Sequence, residues 1–245
     1  MGKRLISQRR GRGTPVYRAR SHYFKGEVKH FPQEGVGQVI GLVHCAGHTA
    51  PLMNVAYSNG QENLAFAPEH IRVGDSVTST ITAVLSDPAT QAPLVLKEGS
   101  VLALKDLPEG TLIHNIELRP GDGGKLVRAS GTFARVVAKS EGIVRVLLPS
   151  RKEKVFHPNC RAAVGVIAGS GRPEKPFLKA GARFWKMKAR GKLYPHVCGI
   201  SMNAVDHPFG GKCSHIKGRP TQSPRNAPPG RKVGKIAPRR TGRKR

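Results

Sequence analysis

The sequence predicts an all-β protein, two small barrels in tandem with long irregular basic extensions at both ends. Three observations predict it. Short apolar runs rich in Val, Ile, Leu and Thr recur between residues 36 and 168, separated by turn residues, and no long amphipathic helix appears before residue 170. The runs form two clusters on either side of about residue 95, as two small barrels would require. The charge lies at the ends of the chain, where Gly and Pro are too frequent for regular structure.

Each element follows from its own residues. Val36–Cys45 reads as a strand. Leu52–Tyr57 and Glu62–Ala67 flank Ser58-Asn59-Gly60-Gln61, and Asn-Gly is the strongest short hairpin signal because both residues tolerate positive φ. Ser76–Leu85 alternates, with Val77, Ile81, Ala83 and Leu85 on one face. Asp87–Pro93, DPATQAP, reads as the linker between barrels. Beyond it, Gly131–Ala138 and Ile143–Leu148 flank Ser140-Glu141-Gly142, and Val155–Phe156 and Cys160–Ala168 add two more apolar runs. Arg183–Lys192 predicts a short helix. The divisions are therefore a basic extension over 1–31, barrels over 32–90 and 91–171, and a second basic extension over 172–245.

The 245 residues include 42 Lys and Arg against 15 Asp and Glu, a formal net charge of +27. Residues 1–31 carry a net +8, residues 32–104 a net −4, residues 105–171 a net +5 and residues 172–245 a net +18. Such a charge opposes compaction unless a polyanion neutralises it. Nucleic acid does so, because each phosphate contact releases a condensed counterion. No amphipathic Lys/Arg helix with an apolar face and no membrane-length apolar run is present, which argues against a membrane partner. The first thirteen residues are basic but lack an apolar segment, so they do not read as a secretory signal. An intracellular setting keeps the four scattered cysteines reduced, and no disulfide is expected.

The C-terminal composition cannot bury enough apolar surface to offset its chain entropy, so it is expected to order on a polyanion. A solvated tail would not need the interleaved Phe177, Phe184, Trp185, Tyr194 and Phe209. Aromatics in a basic, glycine-rich segment stack on unpaired bases. No helix-turn-helix, zinc finger or basic zipper pattern is available for a DNA groove. Irregular RNA offers pockets that an extended segment can thread.

Several motifs carry a family resemblance. Leu107–Val137, Cys160–Ala168, Lys179–Gly191 (KAGARFWKMKARG), Ser201–Gly211 (SMNAVDHPFGG), Arg225–Gly234 (RNAPPGRKVG) and Gln8–Gly13 (QRRGRG) resemble the universal second large-subunit ribosomal protein family. Ala204 stands where bacterial members typically have proline and Phe209 where they have a second histidine, so the resemblance is to the archaeal and eukaryotic type. Lys212-Cys213-Ser214-His215 also departs from the commoner glycine-rich run. The resemblance implies an oligonucleotide-binding (OB-type) barrel followed by an SH3-like barrel. It also implies a cytoplasmic, ribosomal setting near the peptidyl transferase centre, with large-subunit RNA, other ribosomal proteins and the small subunit as partners.

Asn203, Asp206, His207, Phe209 and Gly210 form the loop that this resemblance places near the catalytic RNA. A catalyst would need a base, a nucleophile and an oxyanion site in mutual reach. Asp206 and His207 are sequence neighbours, and Ser201 and Cys198 are only guesses at a nucleophile. The loop therefore reads as structural, with Asp206 fixing a turn, His207 donating to RNA and Phe209-Gly210-Gly211 forming a tight turn with an aromatic anchor. No enzyme is expected. The RNA-binding candidates are Arg9, Arg10, Arg12, Lys125, Lys186, Lys188, Arg190, His207, Arg225, Arg231, Lys232, Arg239 and Arg240. Arginine is favoured because its planar fork binds phosphate in a bidentate way and stacks on bases. Pro120–Lys125 lacks phosphate-loop spacing. It reads as a turn laying backbone N–H groups and Lys125 on RNA phosphate. Zinc candidates are Cys198, Cys213 and His215, with His196, Cys45 and His48 as further donors. Their spacing is poor for a closed tetrahedron, and small buried apolar cysteines are the preferred reading. No cofactor is expected, and magnesium would arrive only through bound RNA.

Overall fold

The computed structural model describes residues 2–80, 96–140, 142–211 and 221–239. The linker Asp87–Pro93, the second half of Ser76–Leu85, and Cys213, His215 and Arg240 lie outside these residues. The chain divides into two compact units: Ser21–Phe177, and Met1–Arg20 with Leu178–Arg245.

The Ser21–Phe177 unit is all β. Its first four strands are β1 (Gly35–Val43), β2 (Leu52–Tyr57), β3 (Glu62–Phe66) and β4 (Ser76–Ser79). The next six are β5 (Val101–Ala103), β6 (Leu112–His114), β7 (Ala134–Ser140), β8 (Ile143–Leu147), β9 (Glu153–Phe156) and β10 (Arg161–Val164). They hydrogen-bond in the order β3-β2-β1-β4-β5-β10-β6-β7-β8-β9. Every pairing is antiparallel except the parallel pair Ser79↔Val101, which joins β4 to β5. On each side of that junction lies a meander with its own core. Phe31, Val39, Val55, Tyr57 and Val77 cluster in the first half. Leu104, Ile113, Val136, Val146 and Phe156 cluster in the second. This is the expected all-β architecture, an OB-type module followed by an SH3-like one.

The hairpin of β2 and β3 forms where Asn-Gly predicts it. Gly60 has φ 79°, its N–H reaches the Tyr57 carbonyl at 2.9 Å, and the Asn59 side-chain oxygen accepts the Gln61 N–H at 3.0 Å. Strands β1 and β7 each carry a register shift, between Val39 and Gly41 and between Val136 and Ala138, and such bulges add local twist. Val28 and Phe31 are buried in the first module, and the β unit begins at Ser21.

A buried ionic cluster fastens the two modules. Glu117 is fully buried, and Arg161, at the start of β10, nearly so. The Arg161 Nε and Nη2 donate to Glu117 Oε1 at 3.3 and 3.2 Å, and the Arg161 backbone N–H donates to Oε2 at 2.9 Å. The remaining arm, Nη1, donates to the carbonyl of Phe31 in the first module at 2.7 Å. His30 adds a bond from Nε2 to the Asn115 carbonyl at 2.6 Å, and Arg128 reaches the Val28 carbonyl at 2.9 Å. Charges this deep are tolerable only because every arm has a partner.

The other unit contains α1 (Ile6–Gly11), α2 (Ala180–Ala189) and the two-residue parallel strands β11 (Gln222–Ser223) and β12 (Lys235–Ile236). The two ends of the chain bond to each other within it. Lys3 N–H reaches the Val205 carbonyl at 2.8 Å, Arg20 N–H the Ala189 carbonyl at 3.2 Å, and Arg10 Nη2 the Gly191 carbonyl at 2.6 Å. Helix α2 starts three residues before the predicted span and ends where Gly191 takes φ 61°, a conformation that favours glycine.

Candidate nucleic-acid interface

The unit built from both termini holds 25 Lys and Arg against one acid, Asp206, a net +24, and the longer β unit holds the remaining +3. Among its described residues only Leu5, Gly210, Ser223 and Ala227 are buried. Fully burying a large apolar side chain contributes roughly 1.5–3 kcal/mol, whereas ordering one residue's backbone costs roughly 1–2 kcal/mol. A unit with so small a core cannot hold its shape on apolar burial. Its net charge attracts anions.

The 203–210 loop is closed by its own backbone. The Asn203 carbonyl accepts the Asp206 N–H at 3.0 Å and the His207 N–H at 3.2 Å, and Gly211 N–H reaches the Met202 carbonyl at 3.1 Å. Any Cβ at position 210 would overlap the Asn203 and Met202 carbonyls, so glycine is required there. His207 Nδ1 accepts the Phe209 N–H at 3.0 Å, which puts the proton of the neutral ring on Nε2. Partial burial holds the His207 imidazole below its ordinary pKa, so the ring is a neutral donor. The half-buried Phe209 packs against it, with ring centroids 5.1 Å apart. Clefts of about 470 and 420 Å³ border the loop, and both are lined in part by Leu5 and His207.

The arrangement lacks the marks of a catalytic dyad. The Asp206 carboxylate faces Lys3, 4.0 Å away. It is the Asn203 carbonyl, rather than the Asp206 side chain, that fixes the turn. Among the described residues the ring's own hydrogen bond is the one to Phe209, and neither Ser201 nor Cys198 is bonded to it.

The candidate cations are distributed unevenly. Arg12, Lys188, Arg225, Arg231, Lys232 and Arg239 are at least partly open to solvent, as are Arg9, Lys186 and Arg190 to a smaller degree. Arg10 is engaged within the protein, bonded to Gly191 and lying 5.7 Å from the Tyr17 ring centroid.

The Pro120–Lys125 turn requires a correction. Its amides do not face outward for a phosphate. Gly121 and Gly123 donate to the Glu117 carboxylate at 3.1 and 3.2 Å. Leu118, Arg119 and Gly124 donate to Asp122 at 3.0, 3.3 and 3.1 Å. The glycines let the chain wrap a buried carboxylate, and only the exposed Lys125 side chain remains available to an anion. Sequence reasoning passed over Glu117 and Arg161. The available signal was a lone arginine in the apolar run Cys160–Ala168, since a charge in such a run needs a buried partner.

Among the described residues no three His, Cys, Asp or Glu side chains converge on a metal position. Cys45 is buried with its Sγ 3.2 Å from His48 Nδ1, and Cys160 is buried as expected of a small apolar residue. Cys198 is exposed, against that reading. No helix among these residues is long and apolar enough to cross a membrane.

An OB-type and an SH3-like module in series, with a strongly cationic unit assembled from both termini, define a modular basic β-protein whose charge is set apart from its core. The profile described as Ribosomal Proteins L2, C-terminal domain, matches residues 97–231. The large ribosomal subunit protein uL2 of Methanothermobacter thermautotrophicus is 49% identical over 252 residues, covering 100% of both chains. The protein of the same name from Methanococcus vannielii is 50% identical over 251 residues, again 100% of both. That of Archaeoglobus fulgidus is 48% identical over 246 residues and 99% of both. The chain belongs to the ribosomal protein L2 family.

Proposed function

We propose that this chain is a structural constituent of the large ribosomal subunit, acting in the cytoplasm within the ribosome. It binds large-subunit RNA near the peptidyl transferase centre and supports subunit association, tRNA placement and peptide bond formation without doing the chemistry itself. Other ribosomal proteins and the small subunit are its neighbours at the interface. One observation carries the reading: a unit of net +24 with four buried described residues has neither the core nor the charge balance to stand without a polyanion. The β unit, with barrels over 32–90 and 91–171, supplies the rigid body. Arg12, Lys188, Arg225, Arg231, Lys232 and Arg239 meet phosphate, and the His207 Nε2–H donates to RNA.

The test is the salt dependence of binding to large-subunit RNA. Replacing Arg225, Arg231, Lys232 and Arg239 with Gln should flatten the slope of log affinity against log salt by about 3, at roughly 0.7–0.9 for each phosphate no longer neutralised. The exposed β-unit pair Arg135→Gln and Arg145→Gln should leave it nearly unchanged. Equal flattening per charge in the two variants would show that the terminal unit has no special role.

A further inference from the structure

Helix α2 has no buried residue, although it carries the chain's one tryptophan beside a phenylalanine. A ten-residue helix is marginal in water without tertiary packing, so this face lacks the packing that would hold it. Trp185 is 60% exposed. Phe184 meets it edge-on, with ring centroids 5.5 Å apart and planes at 80°, which buttresses the indole. Lys188 follows three and four residues later on the same helix face. Its Nζ lies 4.9 Å from the Trp185 ring centroid and 5.7 Å from that of Phe184. An ammonium held over one face of an indole leaves the opposite face for another π-system and sits within reach of its phosphate.

We infer that Trp185, backed by Phe184 and Lys188, is a stacking site for a single unpaired RNA base whose flanking phosphate is met by Lys188. The inference rests on the RNA reading above and narrows it to one site and one kind of nucleotide. A base inside a duplex has both faces covered, whereas a splayed base offers a free face to an aromatic platform. Charge argues for nucleic acid over a protein segment. The helix sequence AGARFWKMKA holds three cations and no acid, and it lies in the unit of net +24.

Because Trp185 is the chain's one tryptophan, intrinsic emission of the full-length protein reports on this site alone. It should be titrated with an adenine-rich single strand of about twelve nucleotides, a length small single-strand sites cover. A blunt duplex of equal phosphate count provides the comparison, with binding followed separately by anisotropy of labelled RNA. The single strand is expected to quench the emission, while the bound duplex leaves it near the free value. Trp185→Ala should weaken the single strand about tenfold, leave the duplex within about twofold, and be partly rescued by Trp185→Phe. Unchanged emission with both RNAs bound overturns the site and leaves the helix face to a protein neighbour. Equal weakening of both RNAs by Trp185→Ala also overturns it. Failure of both RNAs to bind at all overturns the RNA reading itself, an outcome anisotropy distinguishes from the first.

Discussion

Removing the Glu117 carboxylate should destabilise the β unit by stranding the Arg161 guanidinium at the junction of its two modules. In Glu117→Ala the Arg161 guanidinium loses two bonds, at 3.2 and 3.3 Å, and keeps only the Phe31 carbonyl. The backbone N–H groups of Arg161, Gly121 and Gly123, which reach the carboxylate at 2.9, 3.1 and 3.2 Å, lose their acceptor. Breaking a buried pair by deleting one partner costs about 3–5 kcal/mol, a large share of the 5–15 kcal/mol typical of a whole domain. For a unit of this size that corresponds to a fall in Tm of roughly 6–20 °C. The assay is thermal unfolding of the full-length chain followed by the far-ultraviolet β signal. That signal comes from the β unit itself, whereas Trp185 lies in the other unit. Arg161→Met should also be costly, and the double variant should cost less than the sum of the two, with a coupling of about 1–3 kcal/mol. A Tm shift under about 2 °C for Glu117→Ala, or strict additivity in the double variant, would refute the clasp.

Two further outcomes follow from the histidines. Burial lowers His30 and His114 each to a pKa of about 4, below the ordinary value of 6.5, so the unfolded chain takes up these protons first. Their contribution to stability is whole above about pH 6.5 and is lost as pH falls toward 4, on the order of 1 kcal/mol per pH unit for each histidine. Melting curves at about pH 7, 6 and 5 check this, and an unchanged Tm across that range contradicts it. For His207, ribosomes rebuilt with His207→Ala should still assemble and retain single-turnover peptide bond formation. Loss of the chemical step in assembled particles would make the ring a catalyst after all.

The β unit was legible where its residues alternate or turn in a characteristic way. Leu52–Tyr57 matches β2 residue for residue, and β1, β3, β8 and β9 fall within one or two residues of the predicted runs. Strands β5 and β6 were not read. Each has three residues, and those of β5 are all buried, so no period of two is available. Helix α1 is six residues long, two of them arginine, and buries none, which leaves no amphipathic signal. The glycine turn was misread for a related reason. Composition reveals that Gly121, Gly123 and Gly124 can take positive φ, as they do, but not whether their amides turn out to an anion or in to Glu117. The closure of the 203–210 loop was legible in outline as a tight turn. Its anchoring was not, since the bond from Lys3 to Val205 joins segments no local pattern relates.

Separation of charge from core explains why one chain can be both rigid and strongly basic. Concentrating a net +24 in the β unit would set its self-repulsion against the packing of Leu104, Ile113 and Val136. With only +3 there, the modules can close on apolar burial and tolerate an ion pair as deep as Glu117 and Arg161. In the terminal unit the balance is reversed. Its one acid, Asp206, meets Lys3 at 4.0 Å with both side chains substantially exposed, and an exposed pair of that kind contributes at most about 1 kcal/mol. Internal ion pairing therefore cannot neutralise the unit, and four buried described residues cannot hold it. The backbone bonds between the two chain ends set a shape, and on the function proposed above RNA phosphate supplies the free energy that keeps it.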